Sequence, residues 1–296
     1  MARIVEADVS GGLDSAAVRR HFERAAAGFD AAAALPREIG ERLLERLDVI
    51  RLQPGRALDL GAGTGAIAEA LLRRYRGAQI YAVDSAAAML DLARRRGGWR
   101  RRPRVVCADA GRLPLAADSL DMVVSNLMLP WCLPPDAAFA EIRRVLAPGG
   151  VLLFSTLGPD TLAELRSSWT RVDARPHVHP FMDMHDIGDA LLRAGFADPV
   201  MDAERLEVSY PDVTALLREL KSLGAGNALV GRTPGIGGRG RLQAMIEAYE
   251  RGEDGRIHAT CEVVYGLAWG AEGVPARSGE VRVPLETLRR VPRARE

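Results

Sequence analysis

The chain is poor in several things, and each shortage narrows what it can be. It has only three cysteines in 296 residues, Cys107, Cys132 and Cys261, widely spaced and with no C-x-x-C pair. No disulfide framework, zinc ribbon or dithiol redox centre is therefore encoded, and the three read as reduced, buried small hydrophobes. Net charge is also scarce: 40 Lys and Arg against 39 Asp and Glu leave a formal +1, so no global field recruits nucleic acid or an acidic membrane surface. No stretch supplies the ~18 apolar residues needed to cross a bilayer, and the N-terminus lacks a basic segment leading into an apolar one. A soluble, cytoplasmic protein is expected, with neither membrane nor nucleic acid as a partner. His177, His179 and His185 form an H-x-H-like set, but no Cys or acid completes a recognised ligand spacing, so no metal is predicted.

What the chain does have is the run ALDLGAGTGAIAEAL, Ala57 to Leu71. A short apolar strand ends at Asp59-Leu60-Gly61, Gly63 and Gly65 follow, and an amphipathic helix begins at once. Only glycine accepts the left-handed backbone and the close approach that such a turn needs, and the helix behind it offers unpaired N–H groups and a positive dipole end. The spacing is not the G-x-G-x-x-G of a dinucleotide site, because the third glycine comes one residue early. Asp84 ends a second apolar strand, AQIYAVD, 25 residues after Asp59, where a carboxylate can accept both hydroxyls of a ribose. Asp109 ends a third, RVVCAD. An ordinary glycine turn would explain the loop alone. Acids closing three successive strands fit a nucleoside held by sugar and base, without a phosphate.

The periodicity predicts helices over 16–29 and 37–50, then strands near 56–61, 78–84, 104–109, 120–126 and 150–156 alternating with helices near 65–76, 86–96 and 136–146. That is the βαβ alternation of a parallel sheet, with right-handed crossovers and a ligand at the carboxyl ends of the strands. Beyond it lie helices over 160–172, 184–194, 213–223 and 242–251, strands over 203–209 and 259–268, and a glycine-rich loop over 224–240. The expected fold is α/β: a Rossmann-like, doubly wound, mostly parallel seven-stranded sheet with an N-terminal helical segment and a helical insertion before the last strand. The expected divisions are 1–44, helical; 45–270, the sheet domain, with 211–254 as a helical substrate lid; and 271–296, a charged, proline-interrupted tail. The first dozen residues have no strong period.

With these residues in place, the chain resembles the class I S-adenosylmethionine (SAM) methyltransferases, whose first motif is similar to LDLGAGTG at Leu58–Gly65. The resemblance implies SAM as the methyl donor. It implies that Gly61 and Gly63 approach the methionine part, that Asp84 holds the ribose and Asp109 meets the adenine, that Asp59, Ser85 and Ala110 also bind the cofactor, and that Asn126, another cofactor residue, ends a fourth strand at the edge of the methyl-transfer pocket.

A SAM-binding core names no acceptor. In the second half, FSTLGPDTLAELRSSW, VDARPHVHPFMDMHDIGDALLRAGFADPVMD, SYPDVTALLRELKSLGAGN and ATCEVVYG resemble the malonyl-acyl-carrier-protein O-methyltransferases of biotin synthesis. That likeness implies methyl transfer to the free carboxyl of malonyl-acyl-carrier protein, with the carrier protein as partner; a monomer is expected. A malonyl carboxyl ordinarily loses its proton near pH ~4, so it is already ionised at neutral pH and needs no general base. It does need a cation or donor once stripped of water. The candidates are Arg232 in the glycine-rich loop, His177, Lys221 and Trp131. Arg232 is the first choice, as a bidentate clamp; His177 could equally be a neutral core histidine and Lys221 a solvated helix position. The run RRRGGWRRRPR, Arg94–Arg104, could attract an acidic carrier or be a solvated helix end. Phe29, Pro130, His179 and Pro180 depart from the biotin enzyme's usual residues. PHVHPF is instead similar to a string in relatives that hydroxylate an arginine during respiratory complex I assembly, so an assembly factor or a SAM-binding scaffold is the rival reading.

Overall fold

The computed structural model describes residues 12–230 and 238–271; the N-terminal dozen bar Gly12, Arg232 and the tail from 272 lie outside the described residues. Helices α1 (Ser15–Ala32) and α2 (Ala34–Glu45) come first, and a 3-10 turn at Arg46–Val49 ends the second. Asp14 starts α1 by accepting the Ala17 N–H at 2.9 Å. The alternation then runs β1 (Arg56–Leu60), α3 (Ala66–Arg74), β2 (Gln79–Asp84), α4 (Ala87–Ala93), β3 (Arg104–Cys107), β4 (Leu120–Asn126), α5 (Asp136–Val145) and β5 (Leu146–Leu157). After these come α6 (Ala163–Thr170), α7 (Met184–Arg193), β6 (Phe196–Tyr210), α8 (Val213–Ser222), α9 (Arg239–Ala248) and β7 (Ile257–Gly270).

The seven strands form one sheet in the order β3-β2-β1-β4-β5-β7-β6. From β3 to β5 every pairing is parallel, and β7 runs antiparallel to both β5 and β6. This is the doubly wound α/β arrangement expected from the alternation. Strand order reverses between β1 and β4, and the loops at their carboxyl ends part to leave a crevice.

Side-chain alternation divides each strand between two cores. Ala57, Met122, Val124 and Leu153 pack under α2 and α3 with Ile39, Leu43, Ile67 and Leu71. Leu58, Val123, Leu152 and Phe154 pack on the other side under α5 and α7, with Phe139, Ile142 and Leu191. Being covered on both faces, the central strands must have largely apolar, buried middles, as Met122–Val124 of β4 and Val151–Phe154 of β5 do. A third core lies off the sheet. Leu165 of α6, Val213 and Leu216 of α8 and Met245 of α9 close over Tyr210, Ile257 and Ala259, where β6 and β7 run on beyond the end of β5.

Helix α2 is fastened to the antiparallel edge by charge as well as by packing. Arg42 Nη1 donates to Glu204 Oε2 at 2.7 Å, Arg46 Nη2 donates to Asp202 Oδ2 at 2.5 Å, and the Arg46 guanidinium lies 3.6 Å from the centre of the Tyr265 ring. The Tyr265 hydroxyl itself donates to Glu204.

Four expectations need correction. Of the three cysteines expected to be buried only Cys261 is, since Cys107 ends β3 exposed at the cavity rim and Cys132 is half-buried. Strand β6 starts at Phe196 rather than near 203: the Pro199 that marks a break in sequence sits at an edge-strand irregularity between Ala197 and Val200, with Asp198 at φ 46°. Helix α2 starts at Ala34, ahead of Pro36, because proline is tolerated in a first turn. Helix α9 starts at Arg239, three residues before the apolar period that marked it.

Gly266 is the cross-strand partner of Phe154, and a Cβ there would land on the buried Phe154 ring. Gly266→Ala should destabilise the fold by about 1–3 kcal/mol through overpacking, read as a lower urea midpoint; an unchanged midpoint would mean that the ring has room to move.

Candidate active site

The crevice at the β1/β4 switch is a cavity of ≈ 850 Å³ that runs from the glycine loop to the third core. Its near wall is the loop after β1. Gly61, Gly63 and Gly65 have φ of 74°, 51° and 86°, and they serve different ends. A Cβ on Gly61 would strike Met128, and one on Gly65 would come within 2.8 Å of Ala93, whereas one on Gly63 would meet only open space. Gly61 and Gly65 therefore let neighbouring chain segments pack, and Gly63 leaves its backbone bare to the cavity.

Two carboxylates hold this loop. Asp59, at the end of β1, is 1% exposed and accepts the Ala68 N–H at 2.8 Å, pinning the first turn of α3. Burial pushes its carboxyl up to about 7, against the opposing pull of that hydrogen bond. Asp84, at the end of β2, accepts Gly63 N–H at 2.9 Å on one oxygen and Ala86 N–H at 2.8 Å on the other. Its carboxyl is also raised, chiefly by burial. Each Asp84 oxygen keeps a second lone pair, which is what a ribose diol requires. Ser85, Cys107, Asp109 and Ala110 continue the wall beyond β2 and β3, with Asp109 Oδ1 accepting Gly111 N–H at 2.8 Å. Gly61, Asp84 and Asp109 thus line one cavity. A nucleoside carrying an aminoacyl chain fits this lining: the glycine loop without side chains at one end, the Asp84 carboxylate in the middle and Asp109 with Ala110 at the other.

Asn126 lines the cavity too, but both ends of its amide are in use. Nδ2 donates to Pro36 O at 3.0 Å and Oδ1 accepts from Ser155 Oγ at 2.7 Å. These bonds seat the start of α2 at the end of β4 and leave one amide N–H and one oxygen lone pair over.

Helix α1 roofs the cofactor end through contacts that sequence reasoning did not reach. Asp30 accepts from Thr64 Oγ1 at 2.6 Å and from Arg96 Nη2 at 2.6 Å, while Arg96 Nε donates to Thr64 O at 2.9 Å. Glu23 caps α4, accepting the N–H groups of Ala87 and Ala88 at 2.7 and 3.0 Å. An acid at an exposed helix position carries no local mark of a partner some 65 residues away in the chain. Only the capping preference of a helix start without a Ser, Thr, Asp or Asn N-cap could have hinted at Glu23.

At the far end, Trp131 follows β4 on a 3-10 turn, with the Phe22 and His179 rings edge-on at 5.2 and 5.1 Å. His177 also lines the cavity; its ring stacks on Trp169 at 3.7 Å and Nε2 pairs with Asp173 Oδ1 at 2.8 Å. Lys221 is not brought to the site: it is exposed on α8, while Glu219, Leu220 and Leu223 take the cavity face. Arg232 lies outside the described residues. The three histidines point to separate partners, with His185 on Asp183 at 2.7 Å. The arginine run lies mostly at the opposite end of α3 from the glycine loop, where Arg101 donates to Leu72 O and Tyr75 O; only its Arg96 reaches the cavity. Among the described residues no helix is long and apolar enough to cross a membrane.

The fold and this site define a SAM-dependent methyltransferase. A family profile described as a methyltransferase domain matches residues 58–154. Solved structures of the same fold include the YcgJ protein of Bacillus subtilis, with a TM-score of 0.57 at 15% identity over 79% of this chain and 99% of that one. Another is phosphoethanolamine N-methyltransferase 2 of Haemonchus contortus in complex with S-adenosyl-L-methionine, at 0.54 and 17% over 84% of this chain and 57% of that one. Sequence relatives are far nearer. The malonyl-[acyl-carrier protein] O-methyltransferase of Halorhodospira halophila is 49% identical over 94% of this chain and 96% of its own length. That of Methylovorus sp. is 51% identical over 87% and 89%. The chain belongs to the malonyl-[acyl-carrier protein] O-methyltransferase family.

The raised Asp59 carboxyl has a consequence for stability. An acid whose pKa is higher folded than unfolded keeps its proton in the native state while the unfolded chain gives it up. Stability then falls as pH rises from about 3.8 to about 7 and is flat above. Asp59→Asn keeps the acceptor for Ala68 and should abolish that fall, on the order of a few kcal/mol. Urea midpoints from pH 4 to 8 check it; parallel curves for the two proteins would contradict the shift.

Proposed function

We propose that this protein transfers the methyl group of SAM to the free carboxylate of malonyl-acyl-carrier protein, giving the methyl ester that starts assembly of the pimeloyl precursor of biotin. The observation that carries the reading is identity near one half along almost the whole chain to enzymes of that name, the acceptor half included. The assembly-factor reading rests on the PHVHPF string alone, a much shorter match.

The cofactor supplies an electrophilic methyl on a positively charged sulfur. The residues that would hold it are Asp84 and Ser85 at the ribose, Asp109 and Ala110 at the base, and the backbone of Gly61 and Gly63 at the amino-acid end. The acceptor arrives ionised, so the protein need not remove a proton. Its task is orientation, worth up to ~7–11 kcal/mol, and exclusion of water, for which Phe22, Phe29, Leu127 and Trp131 provide the apolar lining. Accordingly the Asp173–His177 pair is read as a brace for the cavity wall rather than as a base.

The substrate carboxylate needs a positive partner. Of the cavity-lining arginines, Arg37, Arg73 and Arg96 are held by Asp30 O, Glu69 and Asp30. Arg19, on the α1 turn before Phe22, lines the cavity with no acceptor among the described residues. It joins Arg232 as a nominee.

The test is transfer of labelled methyl from SAM to malonyl-acyl-carrier protein by the purified chain. Ester is expected; SAM bound with no ester formed, where a reference enzyme works, would overturn the reading. Asp84→Ala should weaken SAM binding by tenfold or more in calorimetry, since it removes the diol acceptor and frees the Gly63 loop. Arg19→Ala and Arg232→Ala should keep SAM affinity, and the one that raises KM for the carrier substrate identifies the clamp.

A further inference from the structure

His179 lies between α6 and α7, 7% exposed, with its ring in the cavity wall. Its Nε2 accepts the Ala228 N–H at 3.0 Å. A ring nitrogen that accepts carries no proton, so the proton of the neutral imidazole is on Nδ1. Burial keeps the ring neutral, holding its pKa down to about 4, with the neighbouring His21 adding to the effect. The tautomer is thus set by the backbone of Ala228, whose carbonyl is in turn taken by Asp14 N–H at 2.9 Å.

Nδ1–H has no acceptor among the described residues, yet it is not sealed in the interior as an orphan donor. The surrounding surface is Trp131, edge-on at 5.1 Å, with Phe22 beyond it. Trp131 lies three residues after Met128, the residue packed against Gly61. A neutral donor of fixed direction in an aromatic wall beside the methionine end of the site suits an acyl oxygen.

We propose that His179 Nδ1–H donates to an oxygen of the malonyl group and so positions the acceptor for methyl transfer. This deepens the function proposed above and rests on it. The role differs from that of an arginine clamp: a neutral donor fixes orientation without adding charge.

Two substitutions separate the two nitrogens. His179→Gln reaches the Nε2 position and can keep the bond from Ala228 while losing the donor at Nδ1. His179→Asn reaches only the Nδ1 position, so it can keep the donor and lose the Ala228 bond. With malonyl-acyl-carrier protein as the probe, H179Q should keep the thermal midpoint and SAM affinity and raise KM about tenfold or more. H179N should lower the thermal midpoint with KM within about threefold of the parent. An active parent with unchanged KM in H179Q, or a tenfold KM rise confined to H179N, overturns the assignment alone. If H179Q does not fold, the H179N result decides by itself: KM kept supports the donor, KM raised tenfold refutes it. A parent that binds SAM and forms no ester overturns the functional reading, and this inference with it.

Discussion

The carboxyl edge of the sheet depends on two buried carboxylates that grip backbone rather than side chains. Asp59 holds the first turn of α3 and Asp84 holds the loop at Gly63, so the turn between them is shaped before any ligand arrives. Charged groups in such a place are costly, and the backbone N–H bonds offset only part of that cost. The raised carboxyls are the visible remainder. A cationic ligand entering beside them would meet an environment already short of positive charge.

Around that centre the molecule is assembled in tiers. Five parallel strands fix the acids at their ends, α1 is drawn over the loop by Asp30 and Glu23, and α2 is tied to the far edge through Arg42 and Arg46. Each tie joins segments remote in sequence. Roof and floor are therefore joined by side-chain bonds as well as by packing.

Much of this was legible in the chain. The order of elements, the seven strands and the gathering of Gly61, Asp84 and Asp109 follow from apolar period and turn residues, because those signals are local and the parallel strands must be apolar on both faces. The acceptor end was harder to read. Lys221 is a cation on an amphipathic helix, and sequence could not say that Glu219 and Leu220 would take the inner side. Asn126 has the look of a ligand-binding amide, and only the structure shows that it also ties Pro36 to Ser155. Arg19, Asp30 and Glu23 sit at ordinary helix positions, and their significance arises only when α1 crosses the loop. His179 was visible as a departure from its relatives, but which nitrogen is free depends on Ala228, half a hundred residues away.

The overrun of β6 and β7 past the end of β5 divides the labour of the cavity. The end of the cavity beside the glycine loop is built on β1 to β3, whereas the far end combines α1 and the loop after β4 with the overrun of β6 and β7 and the helices packed on it. Lengthening those two strands by a residue pair, or exchanging the helices upon them, would reshape the far end of the cavity without moving the glycine loop.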